Sequence, residues 1–235
     1  MRGLIVMAMF VASLAYGAAY DYSEVRDLAI DANGVTEFEI DAGAGSLSVT
    51  GVDGATDITV VATIRVESRD EEKARSIVEK RLRLTLERDG DRAELRSELD
   101  SGWGWDGNAA IDLDVQMPAD VSLVVDDGSG SIVISGVAAS VKVDDGSGSL
   151  EINDAGDIDI DDGSGSITIT NASGDVYVND GSGSIDISGV AGSVTLDDGS
   201  GSITVDDVAK DLIIEDDGSG SVSFSNVRGV VEQDD

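Results

Sequence analysis

The residues that could do chemistry in this chain are carboxylates, set in pairs at a fixed interval. The string Asp-Asp-Gly-Ser-Gly-Ser begins at Asp126, Asp144, Asp161, Asp197 and Asp216, with Asn179 replacing the first Asp in one further copy. Aspartates in such numbers could act as acid and base in glycoside cleavage, hold calcium, or cap their own turns. Acid–base work needs one carboxylate in an environment unlike its neighbours', and near-identical repeats supply none. The Gly-Ser-Gly segments lack the spacing of a nucleophile elbow, and the 235 residues contain no His to activate a serine. Cys is also absent, which removes disulfides, thiolate nucleophiles and most soft-metal ligands. The reading is a chain that is not an enzyme, has no catalytic residues and needs no cofactor, with calcium as the one ion its turns could take.

The elements that position these turns follow from the same repeat, whose spacings are 18, 17, 18, 18 and 19 residues. After each Ser comes a two-residue alternation (Ile132/Ile134, Leu150/Ile152, Ile167/Ile169), then a single apolar residue (Val137, Ala155, Ala172). A second alternation closes the unit (Val141/Val143, Ile158/Ile160, Val176/Val178). Each unit therefore reads as strand, corner, strand and Gly-rich turn. One unit cannot bury its apolar face, but stacked units can. The expected fold is mainly β: a parallel two-sheet β-solenoid of about seven coils of ~18 residues. A hexapeptide helix with the same coil length fails, because counting six by six from Ile132 reaches Ala138 and then Asp144. The 19-residue interval places a bulge in Leu212 to Glu215.

Stacking puts the second Asp of each pair in one column: Asp127, Asp145, Asp162, Asp180, Asp198 and Asp217. They share the inward phase of Val143 and Leu196, at the edge of the sheet. Like charges one strand spacing apart repel by roughly 0.9 kcal/mol even in water. Three remedies stay open: hydrogen bonds from each turn's own amides, calcium ions bridging adjacent turns at these six residues, or protons shared between neighbours.

The region before the array differs. Phe38 to Val60 reads as a decayed repeat, with Asp41-Ala42-Gly43-Ala44-Gly45-Ser46-Leu47 in place of the acidic turn. Ser68 and Glu71 form a capping box for a short helix over 69–80, with Ala74, Ile77 and Val78 on its inner face. Leu82/Leu84/Leu86 and Ala93/Leu95 flank Asp89-Gly90, a hairpin signal. A strand over Ile111–Met117 ends at Pro118. Trp103 and Trp105 stand together in a Gly-rich loop, where they would cover the open end of the core or bind a partner. Arg2, the apolar run Leu4 to Leu14 and Gly17-Ala18-Ala19 read as a signal peptide over 1–19, with an uncleaved anchor as the alternative. The expected organisation is then 1–19 signal peptide, 21–120 solenoid start and N-terminal capping region, and 121–235 regular array.

The formal net charge of −33 is uneven, with −25 of it in residues 106–235, where Lys142, Lys210 and Arg228 are the only basic residues. Such a surface repels nucleic acid and anionic lipid, so neither is an expected partner. No second apolar span follows the leader, so no integral membrane form is expected after cleavage. The last coil has no evident cap, which leaves end-to-end self-association open.

Four features together resemble the bacterial "putative adhesin" family, a domain of unknown function. They are the leader, the Gly45-Ser46-Leu47-Ser48-Val49-Thr50-Gly51 segment, the Val115-Gln116-Met117-Pro118 junction and the repeated Gly-Ser-Gly-Ser-Ile units. The resemblance spans roughly residues 35–235. It implies a β-solenoid in an exported, periplasmic or cell-surface setting, with adhesion or scaffolding toward a cell-envelope partner as the role. The uniform acidic turns depart from the family, so no trait tied to them is carried over.

Overall fold

The computed structural model describes residues 5–7, 22–68, 70–99 and 108–233. In chain order the elements are β1 (Ile5–Met7), β2 (Tyr22–Asp31), β3 (Glu37–Val52), β4 (Asp57–Val66), α1 (Glu71–Arg81), β5 (Leu82–Asp89), β6 (Arg92–Leu99), β7 (Ala109–Pro118) and β8 (Ser122–Ser135). The array follows as short alternating strands: β9 (Val141–Asp145), β10 (Gly148–Ala155), β11 (Ile158–Asp162), β12 (Gly165–Ala172), β13 (Val176–Asp180) and β14 (Gly183–Val190). It ends with β15 (Val194–Asp198), β16 (Gly201–Val208), β17 (Leu212–Asp216), β18 (Ser221–Val227) and β19 (Val231–Gln233).

Two walls result. One stacks β8, β10, β12, β14, β16 and β18 in parallel, Ile132 beside Leu150 beside Ile167 beside Ile185 beside Ile203 beside Val222. The other stacks β8, β9, β11, β13, β15, β17 and β19, also in parallel. This is the expected mainly β, parallel solenoid, with about six coils from β8 to β18. The register has a plain cause: a slip of one residue would turn every Ile and Val of a strand from the interior to solvent. The inward residues are buried in every coil up to Ile214, and the corner residues Val137, Ala155, Ala172, Val190 and Val208 are buried with them.

The irregular spacings fall where the repeat places them. Leu196 pairs with Ile214 and Asp197 with Asp216, so Glu215 is the extra residue of a bulge. The short interval lies in the corner after Ala155, where the Gly156 amide donates to both Val137 O and Ala139 O of the coil below.

The decayed repeat takes its place in the stack. β3 lies in register along the whole of β8, Phe38 on Leu123, Gly45 on Gly130 and Leu47 on Ile132, and adds a seventh tier. Residues 53–60 do not continue the repeat, because β4 turns back to lie antiparallel to β2 and β7. β6 and β7 then pair in parallel with the two halves of β3. The hairpin β5–β6 closes around Gly90 at φ +67, as Asp-Gly predicts. The helix differs at its start: Asp70 is the N-cap, accepting from the Lys73 amide at 3.1 Å. Ser68 does not cap it; its hydroxyl instead bonds the Asp70 backbone. The side chain two residues nearer the first turn wins the amide. Ala74, Ile77 and Val78 are buried as their spacing requires. The leader lies outside the described residues except for Ile5–Met7, which pair antiparallel with β2. Trp103 and Trp105 also lie outside them.

Candidate functional site: the inward carboxyl column

Each coil passes from one wall to the other through its Asp-Asp-Gly-Ser-Gly turn. The second glycine of the turn sits at φ +149 in Gly130 and +150 in Gly148, where side chains are rarely found. A Cβ on Gly148 would also fall on the Gly130 carbonyl oxygen of the coil below. Backbone therefore lies directly on backbone along the turn column. The Gly146 amide donates to Asp127 O at 2.9 Å, and the Gly163 amide to Asp145 O at 2.8 Å. Outside this column runs an open trough of about 1180 Å³ walled by serines and glycines such as Ser131, Ser147 and Ser164.

Inside it stand the aspartates. Asp127, Asp145, Asp162, Asp180 and Asp198 are 0 to 4 % exposed. Four of them use one oxygen alike: Oδ1 accepts from the amide two residues on, Ser147 and Ser164 at 3.1 Å, Ser182 at 3.0 Å and Ser200 at 2.9 Å. The own-turn remedy is thus realised, but for one oxygen only. The Oδ2 atoms of all five are shielded from solvent and have no hydrogen-bond partner. Desolvation, and to a lesser extent the neighbouring carboxylates, push Asp127 up to about 7. Burial raises Asp162 to about 6, and shifts Asp145, Asp180 and Asp198 in the same direction. At an effective interior dielectric near 20, two charges one strand spacing apart repel by roughly 3.5 kcal/mol. That exceeds a net hydrogen bond to a charged group, about 1.5–3 kcal/mol, so a fully ionised column is not relieved by its turn amides alone.

Asp217 does not join the others. In the last coil the bulge moves the amide-capping role to Asp216, whose Oδ1 accepts from Gly218 N at 2.8 Å. Asp217 is half-buried and accepts from the Gln233 side chain at 2.9 Å. For calcium the donors are few: among the described residues no three acidic side chains converge, whereas the ion takes six to eight oxygens.

No family model and no curated protein matches this chain. Among solved structures it is similar to a "putative adhesin" from Parabacteroides distasonis at 14% identity, covering 89% of this chain and 97% of that one with a TM-score of 0.40. A "putative lipid binding protein" from the same organism is 14% identical over 90% of this chain and 97% of its own, with a TM-score of 0.39. A "putative cell adhesion protein" from Clostridium sporogenes is 9% identical over 91% and 100%, with a TM-score of 0.33.

The corner opposite the acidic turn carries a second column that the repeat pattern did not bring out. The residue before each corner apolar side chain has a left-handed backbone: Gly136, Asp154, Asn171, Gly189, Asp207 and Asn226, at φ +53 to +71. Only Gly, Asn and Asp occur there, the residues that tolerate this conformation. That restricted choice is the signal in the sequence. Asn171 Nδ2 donates to Asp154 Oδ1 of the coil below at 3.1 Å.

Proposed function

We propose that the chain is an exported, non-catalytic protein of the cell envelope or cell surface, serving as an adhesin-like element or a structural scaffold. The observation that carries this is the equivalence of the coils. Asp145, Asp162, Asp180 and Asp198 have the same burial, the same amide contact and the same direction of shift. A catalytic acid or base must be distinguished from its neighbours, and among these four none is. What the fold offers is long regular walls with an outward acidic surface, suited to contact along their length. Export rests on the N-terminal Arg2, the apolar Leu4 to Leu14 and the small residues at Gly17-Ala18-Ala19. Among the described residues no helix is long and apolar enough to cross a membrane.

The test is to express the full chain in a bacterium and locate it by fractionation and by protease treatment of intact cells. Recovery from the envelope or surface, with loss of cell attachment when the gene is deleted, supports the reading. Retention with the cytoplasmic proteins, or turnover of a substrate that one Asp→Asn change abolishes, overturns it.

A further inference from the structure

The five inward carboxyls are not demanded by the turn. Ala42 stands in register beneath Asp127, at the same position of a turn that keeps Gly45 over the same path. A small apolar side chain therefore serves the geometry, and the chain nevertheless buries five Asp in succession. Each leaves one shielded oxygen with no protein partner, and the polar groups one tier away are the same carboxyls again. We propose that this column is a proton-holding ladder: part of Asp127, Asp145, Asp162, Asp180 and Asp198 stays protonated in the folded chain, the protons shared between successive coils, so that acid tightens the stack and alkali loosens it.

The surroundings favour protons over other cations. The charged groups that act on these carboxyls are the adjacent Asp126, Asp144, Asp161 and Asp197, the terminal Asp216 and Asp217, and one another. Across the interior the facing strands present Ile132, Leu150, Ile167, Ile185 and Ile203, all buried and apolar. The array's basic side chains are engaged elsewhere, Lys142 with Asp159, Lys210 with Asp175 and Arg228 with Asp207. A proton gives the unpartnered oxygen a donor without further ligands, which a calcium ion would require.

The sign follows from linkage. Carboxyls raised in the folded state bind more protons there than in the unfolded chain, so the column's contribution to stability is full below about pH 4 and is lost as pH rises toward about 7. Repulsion among surface carboxylates has the same sign but is screened by salt, whereas a buried column is screened little.

The experiment is a thermal melt of the full chain from pH 4.5 to 8.0 at low and high sodium chloride, with Asp162→Asn beside the outward, exposed control Asp186→Asn. The midpoint of the unmodified chain should fall with rising pH at both salt levels, and Asp162→Asn should flatten that fall while Asp186→Asn leaves it. Infrared spectra of the unmodified chain should show a protonated-carboxyl band near neutral pH that disappears on unfolding, a readout that needs no variant to fold. Absence of that band, or a pH dependence abolished by salt, overturns the proposal. So does calcium that raises the midpoint at pH 8.0 beyond sodium chloride of matched ionic strength.

Discussion

Ala42 and Asp127 occupy successive tiers of one column, paired Cα to Cα across parallel strands, yet one carries a methyl group and the other a buried carboxyl. The pair separates what the turn needs from what the array adds. The turn needs its glycine: Gly45 at φ +144 lies on Gly130 at φ +149, and a Cβ on either would strike a backbone carbonyl.

Gly148→Ala should therefore be severe, since both the conformation and the space below it forbid a side chain. We expect a loss on the order of 3 kcal/mol or more, or failure to fold. Gly54→Ala, at φ +71 with open space around it, should cost about 1 kcal/mol. Urea unfolding of the two variants checks the contrast; equal losses would remove the carbonyl contact as the cause.

The left-handed corner makes a different demand. Asn171→Gly should be tolerated within about 1 kcal/mol, losing the bond to Asp154 but keeping the conformation. Asn171→Val, with a branched Cβ at φ +60, should cost about 2 kcal/mol or more. If the two variants melt together, backbone handedness is not what selects the residue.

Burial should grade the core by tier. Ile187 is fully buried in a central coil, and Ile187→Ala should cost about 2–5 kcal/mol. Phe224 stands two tiers on, 44 % exposed on the last strand of that wall, and Phe224→Ala should cost well under half as much. Chemical denaturation midpoints read the difference.

At the helix, Asp70→Ala should lose about 0.5–2 kcal/mol with the bond to Lys73, and Ser68→Ala less. Circular dichroism melts of both variants decide which residue caps the helix.

Tyr22 should ionise late. Burial, with the hydrogen bond to Glu24 at 2.7 Å, pushes its hydroxyl up to about 12. Its folded value lies above the unfolded one, so its contribution is intact below about pH 10 and is lost as pH rises toward 12. Ultraviolet titration should show a delayed tyrosine phase, and Tyr22→Phe should abolish it.

The solenoid was legible because its cause is written at one-residue resolution. Alternation at Ile132/Ile134 fixes which way each strand faces, and the recurrence of Gly-Ser-Gly fixes where coils turn. The bulge at Glu215 and the hairpin at Gly90 were legible for the same reason. The N-cap was not, because Ser68 with Glu71 matches a capping box and only the geometry of the first turn shows Asp70 taking the amide. The return of β4 along β2 was not legible, because Ile58, Val60, Ala62 and Ile64 alternate as any strand does, and alternation carries no direction. At the candidate site the inward phase of the aspartates could be read, whereas the division of labour between Oδ1 and Oδ2 could not. The exclusion of Asp217 depended on a bulge whose effect on the next turn is purely geometric.

The ladders run along the long axis, so each coil is bonded only to the tier above and the tier below. A pull between the two ends of the array would therefore load one terminal coil at a time rather than the whole body. A released coil of 18 residues extends to about 60 Å, against the roughly 4.8 Å it occupied in the stack. The array is in this sense a folded tether whose slack is stored in discrete lengths, and force spectroscopy would read it as a staircase of steps near that size; a single all-or-none rupture would contradict it.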